Sequence, residues 1–175
     1  MRLALIGPRG SGKTALGRRL APHLGCPFVD ADEELQRRVG CSIAALFERE
    51  GEAGFRDRES ALLAELLQQP RLVLSTGGGV VLRESNRQRL ATLPCVIWLH
   101  AQPAVLWQRI QADPHSAASR PNLSGGGLAE VEQVVATRQP LYAAVATHQI
   151  DTTCLSTDEV LAAVLALLAK MPSAS

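Results

Sequence analysis

The 175-residue chain has no long hydrophobic run, no paired cysteines and no excess of either charge. Its first residues, MRLALIGPRG, hold only four consecutive apolar positions before Gly7 and Pro8, too few for the apolar centre of a secretory leader, and no cleavage site follows. The most apolar later stretch, residues 160–169, lies between Ser156-Thr157-Asp158 and Lys170. It reads as a capped terminal helix, well short of the roughly 20 residues that cross a bilayer. A cytoplasmic location without membrane contact is the expectation. Cys26, Cys41, Cys95 and Cys154 form no Cys-x-x-Cys pair and share no metal-binding spacing with His23, His100, His115 or His148. Neither a zinc site nor a disulfide framework is signalled, and the four read as reduced, mostly buried small hydrophobes. With 18 basic and 17 acidic residues the net charge is +1, so no global field favours nucleic acid or an anionic surface. Any anion site must be local.

Lysine is also scarce: Lys13 and Lys170 stand against sixteen arginines. One of the two falls in GPRGSGKT, residues 7–14, after the apolar LALI and before the helical pattern TALGRRLAPHL. This is the Gly-x4-Gly-Lys-[Ser/Thr] phosphate loop in the strand-to-helix setting its mechanism needs. The glycines let backbone N–H groups converge on phosphate oxygens, and the helix N-terminus adds its positive dipole end. Lys13 is placed to reach the β and γ phosphates, and Thr14 to ligate magnesium. Gly10, Ser11, Gly12, Lys13, Thr14 and Ala15 are therefore the expected phosphate-binding residues. A retained lysine in an arginine-rich chain fits a site that requires a compact, flexible ammonium.

Short apolar runs alternate with longer helical patterns: LALI (3–6), CPFV (26–29), RLVLS (71–75), CVIWL (95–99) and HQID (148–151). Strands separated by helices of this length predict parallel pairing through crossovers, hence an α/β three-layer sandwich on a five-stranded parallel sheet. The size suits one domain, residues 1–175. There is no internal repeat. The Ser-, Ala-, Pro- and Gly-rich ADPHSAASRPNLSGGG is long for a loop in a compact domain. With Arg120 inside it, it reads as a lid over about 111–127.

A phosphate-loop enzyme commonly ends its third strand in a magnesium-holding aspartate. LVLSTGGGVVL, residues 72–82, has none and runs into Gly77, Gly78 and Gly79. Carboxylates occur instead in CPFVDADEE, where Asp30 and Asp32 would leave the end of the second strand on one face, beside the phosphate loop. One would serve magnesium and the other a substrate hydroxyl; a pair of acids favouring a helix dipole is the competing reading. In FEREGEAGFRDRES, Arg56 stands three residues before Glu59, a helical spacing that lets the carboxylate orient the guanidinium or simply forms a surface ion pair.

Over nearly its whole length the sequence resembles shikimate kinase: the phosphate loop, FVDAD, SIAALFEREGEAGFRDRE, STGGGVV, RPNL and TRQPLYAAVA follow that family's order and near spacing. The resemblance implies the phosphate-loop fold of the nucleoside monophosphate kinase type, ATP as donor with Mg2+, shikimate as acceptor and a monomer. It also implies roles. Asp32 would anchor shikimate hydroxyls, and Arg56 and Arg138 would grip the carboxylate, with Glu59 orienting Arg56. Gly77, Gly78 and Gly79 would wall the acceptor, Gly78 offering it a backbone N–H. Asp30 and Thr14 would serve magnesium, Arg109 would lie against adenine, and Arg120 would swing from the lid onto the phosphates as a catalytic group with Lys13 and Asp32. The lid departs from the family's usual Arg-Pro-Leu-Leu, having Asn122 after Arg120-Pro121. Gluconate kinase shares the phosphate loop and a similar aspartate motif but lacks the Phe-Arg-x-x-Glu and glycine-triplet combination.

Overall fold

The computed structural model describes residues 1–113 and 127–171. Five strands, β1 (Arg2–Ile6), β2 (Phe28–Asp30), β3 (Leu72–Ser75), β4 (Cys95–His100) and β5 (His148–Asp151), form one all-parallel sheet in the order β2-β3-β1-β4-β5. Between them lie α1 (Lys13–Leu24), α2 (Ala31–Val39), α3 (Ile43–Leu66), α4 (Glu84–Leu90), α5 (Pro103–Ala112) and α6 (Gly127–Ala143), and α7 (Thr157–Ala169) follows β5.

The continuous apolar character of the strands follows from burial on both faces. Alternate side chains of β1 point to opposite layers: Ala4 and Ile6 join Leu74, Trp98, Phe55 and Tyr142 on one face. Leu3 and Leu5 join Val73, Ile97, Leu16 and Val164 on the other, under α1 and α7. Both layers are thus served by one period-2 pattern.

Helix ends follow local chemistry. Ser156 and Glu159 form a reciprocal capping box at the start of α7, as the Ser-Thr-Asp-Glu run predicts. α3 is one run in sequence but bends at Gly51, whose φ of 69° and ψ of −179° are not helical. The rings of Phe47 and Phe55 stack across that bend with centroids 4.5 Å apart. The second half of α3, which carries Arg56 and Glu59, packs Phe55, Leu62, Leu63 and Leu66 into the core.

Two expectations change. β2 starts at Phe28 and ends at Asp30, so Asp32 is not a strand residue; it lies in the first turn of α2. The chain turns because the Asp30 side chain accepts from the backbone N–H of Asp32 and Glu33, an N-cap that starts a helix where the strand pattern stops. Among the cysteines Cys26 and Cys95 are buried and Cys41 is half-buried, but Cys154 is exposed.

Candidate active site

The carboxyl ends of β1, β2 and β3 lie side by side, and the loops that leave them line a cleft of about 720 Å³. α1 begins at Lys13 with Gly12 in the left-handed conformation and no side chain capping its first turn. The first N–H groups of the helix therefore face the cleft without an intrahelical partner. Gly7, at a φ of 140°, allows the loop to pass under β4: a Cβ there would stand 2.1 Å from the Leu99 carbonyl oxygen. The Lys13 ammonium, 8% exposed, donates to the carbonyl oxygens of Gly7 and Pro8 at 2.9 and 2.7 Å and to Ser11 Oγ at 3.3 Å. It is held inside the loop at the rim of the cleft.

The carboxylate absent from β3 is supplied by β2. Parallel pairing puts Asp30 opposite Ser75, and Thr14 Oγ1 donates to Asp30 Oδ2 at 2.6 Å and lies 3.4 Å from Ser75 Oγ. Asp30 thus has two tasks, Oδ1 capping α2 and Oδ2 facing the phosphate loop. The helix-end reading of the acidic pair therefore holds for this residue. Three hard oxygens converging beside a phosphate loop fit Mg2+, which is bound by few protein ligands and completes its shell with water and phosphate oxygens. Among the described residues no group of three His, Cys, Asp or Glu side chains could hold a metal ion by itself. Asp32 lines the same cleft from the first turn of α2, with Gln36 one turn on.

Arg56 and Glu59 form no surface pair. Their side chains are 12% and 5% exposed, and Arg56 Nη1 donates to Glu59 Oε2 at 2.7 Å. Glu52 approaches Arg56 Nε at 3.5 Å, and the guanidinium lies 4.9 Å from the Phe55 ring centroid. On its other side the guanidinium presses on Gly79, where a Cβ would meet Nη1 and Nη2 at 2.4 Å. Arg138, on α6, donates from Nη1 to the Gly78 carbonyl at 3.2 Å. The two arginines, 82 residues apart in sequence, therefore meet on consecutive glycines. Gly77, Gly78 and Gly79 have no left-handed φ. What the structure requires of Gly79 is room for a guanidinium. Gly78 meanwhile packs against the phosphate loop, a Cβ there standing 3.4 Å from Arg9 N.

Arg109 lines the other side of the cleft. It donates from Nη1 to Thr152 Oγ1 at 3.0 Å and from Nη2 to the Thr152 carbonyl at 2.6 Å. Thr152, 2% exposed, bonds in turn to the His100 carbonyl. Arg120, Pro121 and most of the expected lid lie outside the described residues.

Sequence reasoning passed over Ser75, Thr152 and Tyr142. Ser75 stood in the quoted strand, and its role follows only from the β2–β3 register. Tyr142 stood in the TRQPLY motif, one helical turn after Arg138, which is the signal that could have raised it.

Comparison with known proteins gives a consistent picture. The family model described as shikimate kinase matches residues 9–169. A shikimate kinase of Rhodopirellula baltica is 43% identical over 164 residues, covering 93% of this chain and 88% of that protein. The solved structure of shikimate kinase from Acinetobacter baumannii in complex with shikimate is 36% identical, with a TM-score of 0.90 over 98% of this chain and 95% of that one. A gluconokinase from Sinorhizobium meliloti, at 18% identity and a TM-score of 0.62 over 97% of this chain and 91% of that one, shares the fold alone.

Proposed function

The chain belongs to the shikimate kinase family, and on that premise we propose how its own residues carry out transfer of the γ-phosphoryl group of ATP to the 3-hydroxyl of shikimate, giving shikimate 3-phosphate and ADP. The protein is an enzyme, a kinase acting on an alcohol group in the route to chorismate and the aromatic amino acids.

The observation that carries the acceptor half is the seating of Arg56 on Gly79 and Arg138 on the Gly78 carbonyl. A small ring acid with one carboxylate and three hydroxyls calls for paired guanidiniums, a hydroxyl acceptor and a wall without bulk. In this reading Arg56 and Arg138 hold the carboxylate and Glu59 keeps the Arg56 fork in place. Gly77, Gly78 and Gly79 form the wall, and Asp32 accepts or orients the proton of the attacking hydroxyl.

On the donor side the backbone of residues 10–15 cradles the phosphates, Lys13 exchanges its loop carbonyls for phosphate oxygens, and Arg109 faces the base from its Thr152 anchor. Thr14, Asp30 and Ser75 are the residues that would hold Mg2+, mostly through water; bound there it would neutralise charge on the phosphoryl oxygens. Arg120 is assigned to the phosphates by the resemblance alone. Catalysis rests on positioning and charge stabilisation, and exclusion of water would suppress idle ATP hydrolysis. The reading includes a monomeric cytoplasmic enzyme without a nucleic-acid or membrane partner; among the described residues no helix is long and apolar enough to cross a membrane.

The test is ADP release in one coupled assay with ATP and Mg2+, comparing shikimate, gluconate and no acceptor. Stimulation by shikimate alone is expected. Equal rates in all three, in protein that binds ATP, would overturn the proposal.

A further inference from the structure

The Gly78 carbonyl has a second donor besides Arg138. Tyr142, one turn later on α6, directs its hydroxyl to the same oxygen. Tyr142 is 1% exposed and its ring stacks on Trp98 of β4, with centroids 5.7 Å apart and planes 25° from parallel. Its hydroxyl is thus delivered from the rigid centre of the fold, whereas Arg138 reaches the carbonyl from a half-buried, flexible stem.

The carbonyl that receives both donors belongs to the peptide joining Gly78 to Gly79. A peptide between two glycines has no side chain to resist rotation of its plane, so its orientation is among the easiest in a chain to lose. This peptide is trans, and because peptide units are planar, pinning its carbonyl towards α6 turns the Gly79 N–H to the opposite side. The same pinning holds the Gly79 Cα against the Arg56 guanidinium. A single hydroxyl therefore bears on three elements of the acceptor half: the Arg138 fork, the 78–79 peptide and the seat of Arg56.

We propose that Tyr142 is a positioning residue for the acceptor, acting through the Gly78 carbonyl to set the two arginines in register with each other. The inference rests on the acceptor reading given above. It assigns Tyr142 no contact with ATP, and its effect is confined to acceptor binding.

The test is Tyr142→Phe, which keeps the ring and its stacking on Trp98 and removes only the hydroxyl. Losing one hydrogen bond to a carbonyl with a second donor should raise the KM for shikimate about three- to tenfold, with the KM for ATP and the melting temperature close to wild type. Against Arg138→Lys the same change should add little, because both substitutions act on one carbonyl. Deuterium uptake over residues 76–82 should rise in Tyr142→Phe, a readout independent of turnover. An unchanged shikimate KM, parallel increases in both Michaelis constants, full multiplication of the two substitutions or unaltered exchange would each overturn the proposal. Wild-type protein that ignores shikimate would overturn the acceptor reading first and this inference with it.

Discussion

The guanidinium of Arg56 occupies the space in which any residue other than glycine at position 79 would place its Cβ, 2.4 Å from Nη1 and Nη2. The contact explains why a bend at Gly51 and a glycine after β3 belong to one site. The bend separates the half of α3 that carries Arg56 from the half before it, and the glycine lets that arginine come to rest.

Gly79→Ala should therefore act on acceptor binding. The methyl group forces the guanidinium off its seat beside Glu59, and we expect the KM for shikimate to rise about tenfold or more, on the scale of a lost charge-assisted hydrogen bond. The KM for ATP should stay within a factor of two. Steady-state kinetics decide the matter, and an equal loss on both substrates would mean that Gly79 serves the loop and not the arginine.

Glu59 is buried against Arg56, and removing it leaves the half-buried guanidinium only the longer contact to the exposed Glu52. Glu59→Ala should cost roughly 2–4 kcal/mol of stability and weaken shikimate more than ATP. Arg56→Ala should likewise raise the shikimate KM strongly with ATP affinity intact. Urea denaturation with parallel kinetics checks both, and a Glu59→Ala protein of wild-type stability would argue against the buried pair.

The two tasks of Asp30 can be separated. Asparagine caps helices about as well as aspartate, so Asp30→Asn should keep α2 and most of the stability while removing the charge beside Thr14 and Ser75. The Mg2+ concentration for half-maximal activity should rise by about an order of magnitude, the scale on which outer-sphere metal partners act. Asp32→Asn, in contrast, should lower kcat with little effect on the Mg2+ requirement. A metal titration in which the two variants behaved alike would contradict the division.

Burial pushes the Cys95 thiol up to about 11, outweighing a hydrogen bond from Thr147. The folded protein thus keeps a proton that the unfolded chain gives up near the ordinary thiol value of 9.0. The associated stability is fully present below that value and is lost as pH rises through 11. The decline of the urea midpoint between pH 8.5 and 10.5 should be shallower in Cys95→Ala than in wild type. At pH 8 iodoacetamide should reach exposed Cys154 first and Cys95 last, which peptide mapping reads directly.

Much of the fold was legible because it depends on local pattern. Five apolar runs separated by helix-length segments suffice for a parallel sheet, and GPRGSGKT needs only its own spacing to form a phosphate loop. The i, i+3 spacing of Arg56 and Glu59 foretold their ion pair, though not its burial. Asp32 was misplaced by extending the strand alternation past Asp30, where the capping of α2 by the Asp30 side chain overrides it. Exposure of Cys154 was equally invisible, since the general tendency of cysteine to be buried says nothing of a particular loop.

By itself the sequence determined which groups this protein could bring to a reaction: one loop lysine, an aspartate at the end of β2 and another two residues on, arginines at 56 and 138, and a glycine triplet. Tertiary structure decided which atoms of those groups meet. The β2–β3 register put Asp30 beside Ser75 and Thr14, and α6 carried Arg138 and Tyr142 onto one carbonyl. The return of α3 pressed Arg56 onto Gly79. Each of these contacts joins residues far apart along the chain, so no spacing rule encodes it. They follow from the packing of helices against a sheet whose strand order, β2-β3-β1-β4-β5, is not the order of the sequence.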